Sequence, residues 1–179
     1  HEVKGDALLM VNTWFGNHGV DAETVEGMVG LLDELASRDV GADVLGVHMH
    51  LRMPELRDTY IDEFAFLLEE TQKRGVGLQI TEMDVYPGVL DDLNDEERAV
   101  LFEKQKEVYK RVTETCLSYD NCTGLSVWGI DDATSWIRTM SIKDPTAAPL
   151  LFDEEFNKKP AYYGVQEALI EKILQEQGY

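Results

Sequence analysis

The sequence predicts an α/β fold built on a parallel sheet, because short apolar runs alternate four times with amphipathic helical segments. The apolar runs are short and almost uninterrupted, which is typical of strands that are buried on both faces of a parallel sheet. Hydrophobic residues make up 44% of the 179 residues, a proportion that suits one folded domain rather than a disordered chain. The sequence contains no apolar run of the roughly 18 residues that a membrane-spanning helix requires.

Four apolar runs are the predicted strands of this sheet. They cover residues 7–11, 44–47, 76–80 and 124–128. The side chains at their carboxyl ends are, in the same order, Asn12; His48 and His50; Glu82 and Asp84; and Trp128, with Trp136 in the following loop. Because the carboxyl ends of parallel strands form the functional edge of α/β folds, we expect these side chains to gather in one site.

Amphipathic helices are predicted between the strands and at the end of the chain. Apolar residues keep a helical period within residues 25–36, 60–71 and 101–116. The third helix is expected to begin at Asn94, because Glu97 three residues later completes a capping-box pattern. A last helix is expected over residues 161–175, after Pro160.

Four strand–helix units leave two architectures open. They are either half of a (β/α)8 barrel, which needs about 250 residues in full, or the whole of a doubly wound open sheet. The open sheet would carry a glycine-rich phosphate-binding turn after its first strand, and residues 11–16 contain no such turn. We therefore expect no nucleotide, and the sequence shows no other cofactor motif.

The chain is strongly acidic, with 16 Lys and Arg against 35 Asp and Glu and a formal net charge of −19. Such a surface repels phosphate backbones and anionic lipids. We therefore expect neither nucleic acid nor a membrane surface as a partner. The first residue is His1 and no signal-peptide pattern precedes it, so we expect a processed product or a piece of a longer chain.

Two pairs of side chains carry the candidate chemistry. Glu82 and Asp84 are two residues apart on an extended backbone, so they point to the same side, and the same holds for His48 and His50. The plainer alternative is that the carboxylates are solvated charges and that the histidines bond to the backbone. All four are also metal-ligand types, but His-x-His on a strand is a weak signal, and we expect no metal.

Two indoles lie close to these carboxylates in the predicted sheet. Trp128 and Trp136 are either core residues or platforms on which the C–H face of a sugar ring stacks. Carboxylates and indoles without a cofactor motif favour a carbohydrate ligand. The two cysteines, Cys116 and Cys122, leave two alternatives open, a short local disulfide or two buried thiols.

Long segments of the chain resemble glycoside hydrolase family ten, the endo-β-1,4-xylanases. The segments are residues 79–84 (QITEMD), 105–132, 135–136 and 149–165, the last of which reads PLLFDEEFNKKPAYYGV. The resemblance implies a (β/α)8 TIM barrel of which this chain holds only strands five to eight, with residues 1–179 as the C-terminal half of a single catalytic domain. It also implies endo-acting, retaining cleavage of the β-1,4-xylosidic bonds of xylan, with two carboxylates about 5 Å apart.

The resemblance suggests a catalytic role for three residues. Glu82 resembles the nucleophile, His50 resembles the histidine that hydrogen-bonds it, and Asp84 resembles the carboxylate that tunes this pair. A nucleophilic carboxylate must stay ionised, and a nearby hydrogen-bond donor favours its charged form.

Four further residues are expected to contact the sugar. Trp128 and Trp136 resemble the indoles that wall the subsites around the scissile bond. His48 stands where the family usually has Gln, and Asn12 begins a segment that departs from the family's usual Asn-Asp-Tyr-Asn. These two departures imply that the sugar contacts differ from those of the family. The same resemblance pairs Cys116 with Cys122 in a disulfide and suggests a secreted, extracellular protein.

The resemblance also implies that this chain lacks the acid/base glutamate. The family's acid/base Glu lies on the fourth barrel strand, upstream of His1, so we expect the N-terminal half of the barrel as a partner and no activity from this chain alone. The expected substrate is xylan or xylo-oligosaccharide, with no cofactor. Two alternatives stay open: a non-catalytic remnant that binds xylo-oligosaccharide, and a metal-dependent hydrolase that uses the two histidines and two carboxylates.

Overall fold

Four parallel strands lie side by side in chain order in the computed structural model, which describes residues 7–14, 16 and 19–178. The strands are β1 (Met10–Trp14), β2 (Val44–Arg52), β3 (Gly77–Tyr86) and β4 (Cys122–Val127). The helices are α1 (Ala22–Ser37), α2 (Tyr60–Lys73), α3 (Asp95–Leu117), the short α4 (Trp136–Thr139) and α5 (Pro160–Glu176). The predicted α/β class is confirmed, and the sequential strand order is that of a barrel wall rather than of a doubly wound sheet, whose strand order reverses at a switch point.

Side-chain caps begin two of the long helices. Asp21 accepts a hydrogen bond of 2.8 Å from the backbone N–H of Thr24 and so caps α1. At α3 the predicted capping box is confirmed, since the Asn94 side chain accepts from the N–H of Glu97 and the Glu97 carboxylate accepts from the N–H of Asn94. Each cap pairs backbone N–H groups that the first helical turn leaves without a partner.

The strands differ in extent from the predicted ones. The prediction for β1 is wrong by three residues at each end, because the strand pairs with β2 from Val44 onward, and Asn12 lies in its middle rather than at its end. Strands β2 and β3 run five or six residues past the predicted ends, since their ladder continues to the pair Arg52 and Tyr86. The paired histidines and carboxylates therefore lie inside the strands and not after them.

The main core lies between one face of the sheet and helices α1 to α3. Its largest fully buried side chains include Leu45, Leu51, Phe64, Leu67, Leu68, Leu78, Ile80 and Tyr109. The prediction that every strand is buried on both faces is wrong for β1, where Met10 and Trp14 are 42% and 55% exposed, and for β4, where Thr123 and Ser126 are exposed. In the described part of the chain β1 and β4 each have one neighbouring strand, so these two strands are less covered than β2 and β3.

Helices α3 and α5 pack closely through small residues. Ala161, Gly164 and Ala168 are the buried residues of α5, and Gly164 lies against the backbone of Lys106 in α3. A disulfide between Cys116 and Cys122 joins the end of α3 to the start of β4, as the family resemblance implies. Among the described residues, no helix is long and apolar enough to cross a membrane.

Two glycine-to-alanine substitutions test this helix packing, because they should change the free energy of unfolding in opposite directions. A Cβ on Gly164 would lie 2.6 Å from the carbonyl oxygen of Lys106, so Gly164→Ala forces α3 and α5 apart and should lower the free energy of unfolding by about 1–3 kcal/mol. Gly27 is also helical, but a Cβ there meets no atom within 4 Å. Gly27→Ala should raise the free energy of unfolding by about 0.5–1 kcal/mol.

Urea denaturation of the two variants beside the unchanged chain measures both effects. Equal effects of the two substitutions would contradict the close packing of α3 on α5.

Candidate active site

Strand β3 contains one extra residue at Thr81, a β-bulge. In the ladder between β2 and β3, Val47 pairs with Ile80, yet the next residue of β2, His48, pairs with Glu82. The ladder between β3 and β4 is irregular at the same place. Because side chains alternate along a strand, one extra residue moves all the following side chains to the opposite face of the sheet.

The bulge determines which face the two carboxylates occupy. Before it, Leu78 and Ile80 pack into the helix-side core, and after it Met83 and Val85 do. Glu82 and Asp84 therefore point to the other face. His48 and His50 lie on that same face, because they alternate with the core residues of β2.

The carboxylate of Glu82 lies between two imidazoles. Nε2 of His48 is 3.3 Å from Oε1 of Glu82, and Nε2 of His50 is 3.1 Å from Oε2. The Glu82 side chain is 15% exposed and that of His48 is 28% exposed, so a ligand at the surface can reach both. Each carboxylate oxygen thus faces one ring nitrogen.

A second carboxylate fixes the orientation of His50. Nδ1 of His50 lies 2.9 Å from Oδ2 of Asp84, and the same oxygen accepts a 2.7 Å hydrogen bond from the indole N–H of Trp136. The rings of His50 and Trp136 lie 4.8 Å apart, centroid to centroid. Asp84 is fully buried, so these contacts hold the imidazole with Nε2 directed at Glu82.

The pKa of His50 is raised above its ordinary value. Burial by itself would lower this pKa, but the hydrogen bonds and negative charges of Asp84 and Glu82 outweigh the effect of burial. A protonated His50 donates one N–H to each carboxylate. When His50 is protonated, its positive charge lies beside the carboxylate of Glu82 and stabilises the ionised form of that carboxylate.

Asn12 lies at the margin of this cluster and contacts the bulge. The hydroxyl of Thr81 has two possible acceptors. Its Oγ1 lies 2.9 Å from Oδ1 of Asn12 and 3.2 Å from the carbonyl oxygen of Val47. Gly46 gives the Asn12 side chain its room, because a Cβ at this position would collide with Oδ1 of Asn12. Asn12 itself is exposed, so its amide remains accessible to a ligand.

Trp128 lies next to the cluster without joining its hydrogen bonds. Its backbone N–H donates to the carbonyl of Met83, which lies between the two carboxylates of β3, and the residue is 45% exposed. The neighbouring Asp131 and Asp132 are structural. Asp131 caps a short 3₁₀ turn, and Asp132 forms a buried ion pair with Lys159 at 2.8 Å.

The structure thus brings together five of the predicted site residues, namely His48, His50, Glu82, Asp84 and Trp136. Asn12 contacts this group through Thr81, and Trp128 borders it. Two residues that position the cluster, Thr81 and Gly46, were not among the predicted site residues. Nothing in the local sequence marks the bulge, although a glycine inside a strand is a signal of close approach by another group.

The raised pKa of His50 predicts a pH-dependent stability. The contribution of His50 is complete below about pH 6.5, the ordinary histidine pKa, and is lost as the pH rises through the higher pKa of the folded state. The free energy of unfolding should therefore fall over this window relative to a His50→Gln variant, in which His48, Glu82 and Asp84 are retained. Urea denaturation at a series of pH values measures the difference, and parallel pH profiles of the two proteins would contradict it.

Comparisons with known proteins find xylanases. The family model for glycosyl hydrolase family 10 matches residues 1–168. An endo-1,4-beta-xylanase A of Humicola insolens is 34% identical over 147 residues, which are 82% of this chain and 36% of the relative. An endo-1,4-beta-xylanase B of Thermotoga neapolitana is 29% identical over 172 residues, which are 96% of this chain and 46% of the relative. The chain therefore spans about half the length, or less, of these relatives.

Solved structures agree with the sequence comparisons. Xylanase 10B from Thermotoga maritima superposes with a TM-score of 0.80 at 30% identity, over 95% of this chain and 49% of that one. Xylanase 10B from Thermotoga petrophila, solved in complex with xylobiose, has a TM-score of 0.79 at 30% identity, over 94% of this chain and 48% of that one. The four-stranded sheet with its helices thus corresponds to part of a (β/α)8 barrel. Because the family model matches most of this chain, the chain belongs to glycosyl hydrolase family 10.

Proposed function

We propose that this chain supplies the nucleophile side of an endo-acting, retaining β-1,4-xylanase, with residues 1–179 as the C-terminal half of one catalytic domain. The observation that carries the proposal is the accessible Glu82 carboxylate held between two imidazoles, one of which is fixed by the buried Asp84. The xylanase names of the relatives and the xylobiose bound to the Thermotoga petrophila structure support xylan or xylo-oligosaccharide as the substrate.

In the proposed reaction Glu82 attacks the anomeric carbon of a xylosyl unit. The bond between this carbon and the glycosidic oxygen breaks, and a covalent ester forms between the sugar and Glu82. A general acid protonates the departing oxygen, then accepts a proton from the water that hydrolyses the ester. Two inversions at the anomeric carbon leave its configuration unchanged.

The general acid is proposed to come from the other half of the barrel. The carboxylate next to Glu82 in the described residues is Asp84, which is fully buried and accepts hydrogen bonds from Trp136 and His50. A carboxylate in that setting positions His50 and is poorly placed to give a proton to a leaving group.

Substrate contacts are proposed for the residues around Glu82. His48 is exposed enough to reach a sugar hydroxyl from its place beside the nucleophile. Trp136 and the half-exposed Trp128 offer indole faces near the same strand ends, and Asn12 offers an amide on the far side of Thr81. We also propose that the protein acts outside the cell, a location supported by the disulfide between Cys116 and Cys122.

Trapping of the covalent intermediate tests the role of Glu82. A 2-deoxy-2-fluoro-xylobioside with a good leaving group should inactivate the natural polypeptide that contains these residues, and peptide mass mapping should place the added sugar on Glu82. Glu82→Gln should reduce xylan hydrolysis by about 10⁴-fold or more, because the neutral amide cannot form the ester. Glu55→Gln is the matched control, since Glu55 pairs with Arg52 on the surface.

Two results would contradict this assignment. One is a label on a different carboxylate, and the other is full activity of Glu82→Gln. Binding of xylo-oligosaccharide without turnover, in the unchanged protein and in Glu82→Gln alike, would favour the non-catalytic alternative.

The location of the general acid is tested by the isolated chain. Residues 1–179 alone should release no reducing sugar from xylan, because general acid catalysis contributes about 10²–10⁴-fold and a poor leaving group depends on it. A reducing-sugar assay on polymeric xylan measures this, with the Glu82→Gln form of the same chain as the background. Hydrolysis above that background would show that the chain already contains its proton donor.

A further inference from the structure

His48 places a second imidazole beside Glu82 and so completes a set of metal-ligand atoms. One ligand atom from each of His48, His50 and Glu82 lies within 4.8 Å of the other two. Two imidazoles and one carboxylate, with a fourth position left open, are a ligand set of catalytic zinc sites. We propose that these three residues, the His-His-Glu cluster, bind a divalent transition-metal ion such as Zn²⁺, and that this ion inhibits the proposed xylanase.

The spacing of the cluster suits an ion of this kind. Zinc binds nitrogen and oxygen ligands at about 2.0–2.2 Å in a tetrahedron, which separates neighbouring ligand atoms by about 3.4 Å. Nε2 of His48 lies 3.3 Å from Oε1 of Glu82, and Nε2 of His50 lies 3.1 Å from Oε2. Each nitrogen is thus close to this separation from one of the two carboxylate oxygens, and a small rotation of the carboxylate brings a single oxygen between them. The two ring nitrogens need to approach by little more than 1 Å at most, given the 4.8 Å limit on the cluster. His48 is the most exposed of the three and can rotate to close this gap.

The contacts of His50 are those of a prepared metal ligand. A histidine that binds a metal through one ring nitrogen generally donates its other N–H to a carboxylate, which fixes the tautomer and the ring orientation. Nδ1 of His50 lies 2.9 Å from the buried Asp84, so Nε2 faces the cluster. When an ion binds, Nε2 releases its proton to solvent and the metal–nitrogen bond takes its place. Asp84 is held in turn by the indole N–H of Trp136. The ring is therefore oriented before any ion arrives.

Inhibition follows because the ion would bind the carboxylate oxygens of Glu82. A metal bound to Glu82 uses carboxylate lone pairs that the attack on the anomeric carbon requires, so metal and covalent intermediate exclude each other. The inhibition rests on the proposed function, whereas the binding itself does not. A glutamine in place of His48 would leave one imidazole and one carboxylate, so the site depends on this histidine.

Calorimetry on the natural polypeptide that contains these residues tests the metal site directly. After removal of metals with a chelator, Zn²⁺ should bind with a stoichiometry of one tight site per chain, and Co²⁺ should bind with the visible absorption of a four-coordinate complex. His48→Gln should weaken Zn²⁺ binding by about tenfold or more, since it removes a ligand. Glu26→Gln is the matched control, because Glu26 is an exposed carboxylate on α1, and it should bind Zn²⁺ as tightly as the unchanged protein.

A second variant and an activity assay complete the test. Glu82→Gln should also weaken Zn²⁺ binding, measured by calorimetry alone, with circular dichroism to check that each variant is folded. For each protein, the rate of xylan hydrolysis is compared with the rate of the same protein without metal. The Zn²⁺ concentration that halves this rate should be at least about tenfold higher for His48→Gln than for the unchanged protein. Equal Zn²⁺ affinity of the unchanged protein and both variants, or no tight binding at all, would overturn the metal site. If the protein binds Zn²⁺ as expected but hydrolyses no xylan, the proposed function fails and the metal site stands.

Discussion

The single extra residue at Thr81 determines the direction of the side chains that form the proposed active site. A strand without the bulge would turn Glu82 and Asp84 into the apolar core beneath α2 and α3, where an ionised carboxylate is very costly. With the bulge, the apolar residues Met83 and Val85 fill the core and both carboxylates face the histidines of β2. The hydroxyl of Thr81 contacts the carbonyl of Val47 at the irregular step, so the distortion is held by a side chain as well as by the ladder.

A series of hydrogen bonds connects the buried Asp84 with the carboxylate of Glu82. Trp136 and His50 share one oxygen of Asp84, and His50 in turn faces Glu82. The other oxygen of Asp84 is buried without a hydrogen-bond partner in the described part of the chain. The two contacts at Oδ2 keep the imidazole of His50 in one orientation.

His48 links the two proposals for this site. Its Nε2 faces the same carboxylate as His50 does, but its side chain is more exposed, and among the described residues no buried carboxylate orients it. A sugar hydroxyl and a metal ion would compete for this imidazole, since both approach from the open face of the sheet. The imidazole of His48 is therefore part of both the proposed substrate site and the proposed metal site.

The sequence by itself determined the alternation of strands and helices, the capping of α3 by Asn94 and the strands that carry the site, because these follow from local spacing and side-chain type. Only the tertiary structure decided the exposure of β1, the bulge at Thr81 and the shared contacts of Asp84. Each of these depends on which residues of distant segments lie opposite one another. Residue spacing along one strand contains no information on a ladder that shifts by one residue, so the face that Glu82 occupies is settled by pairing with β2.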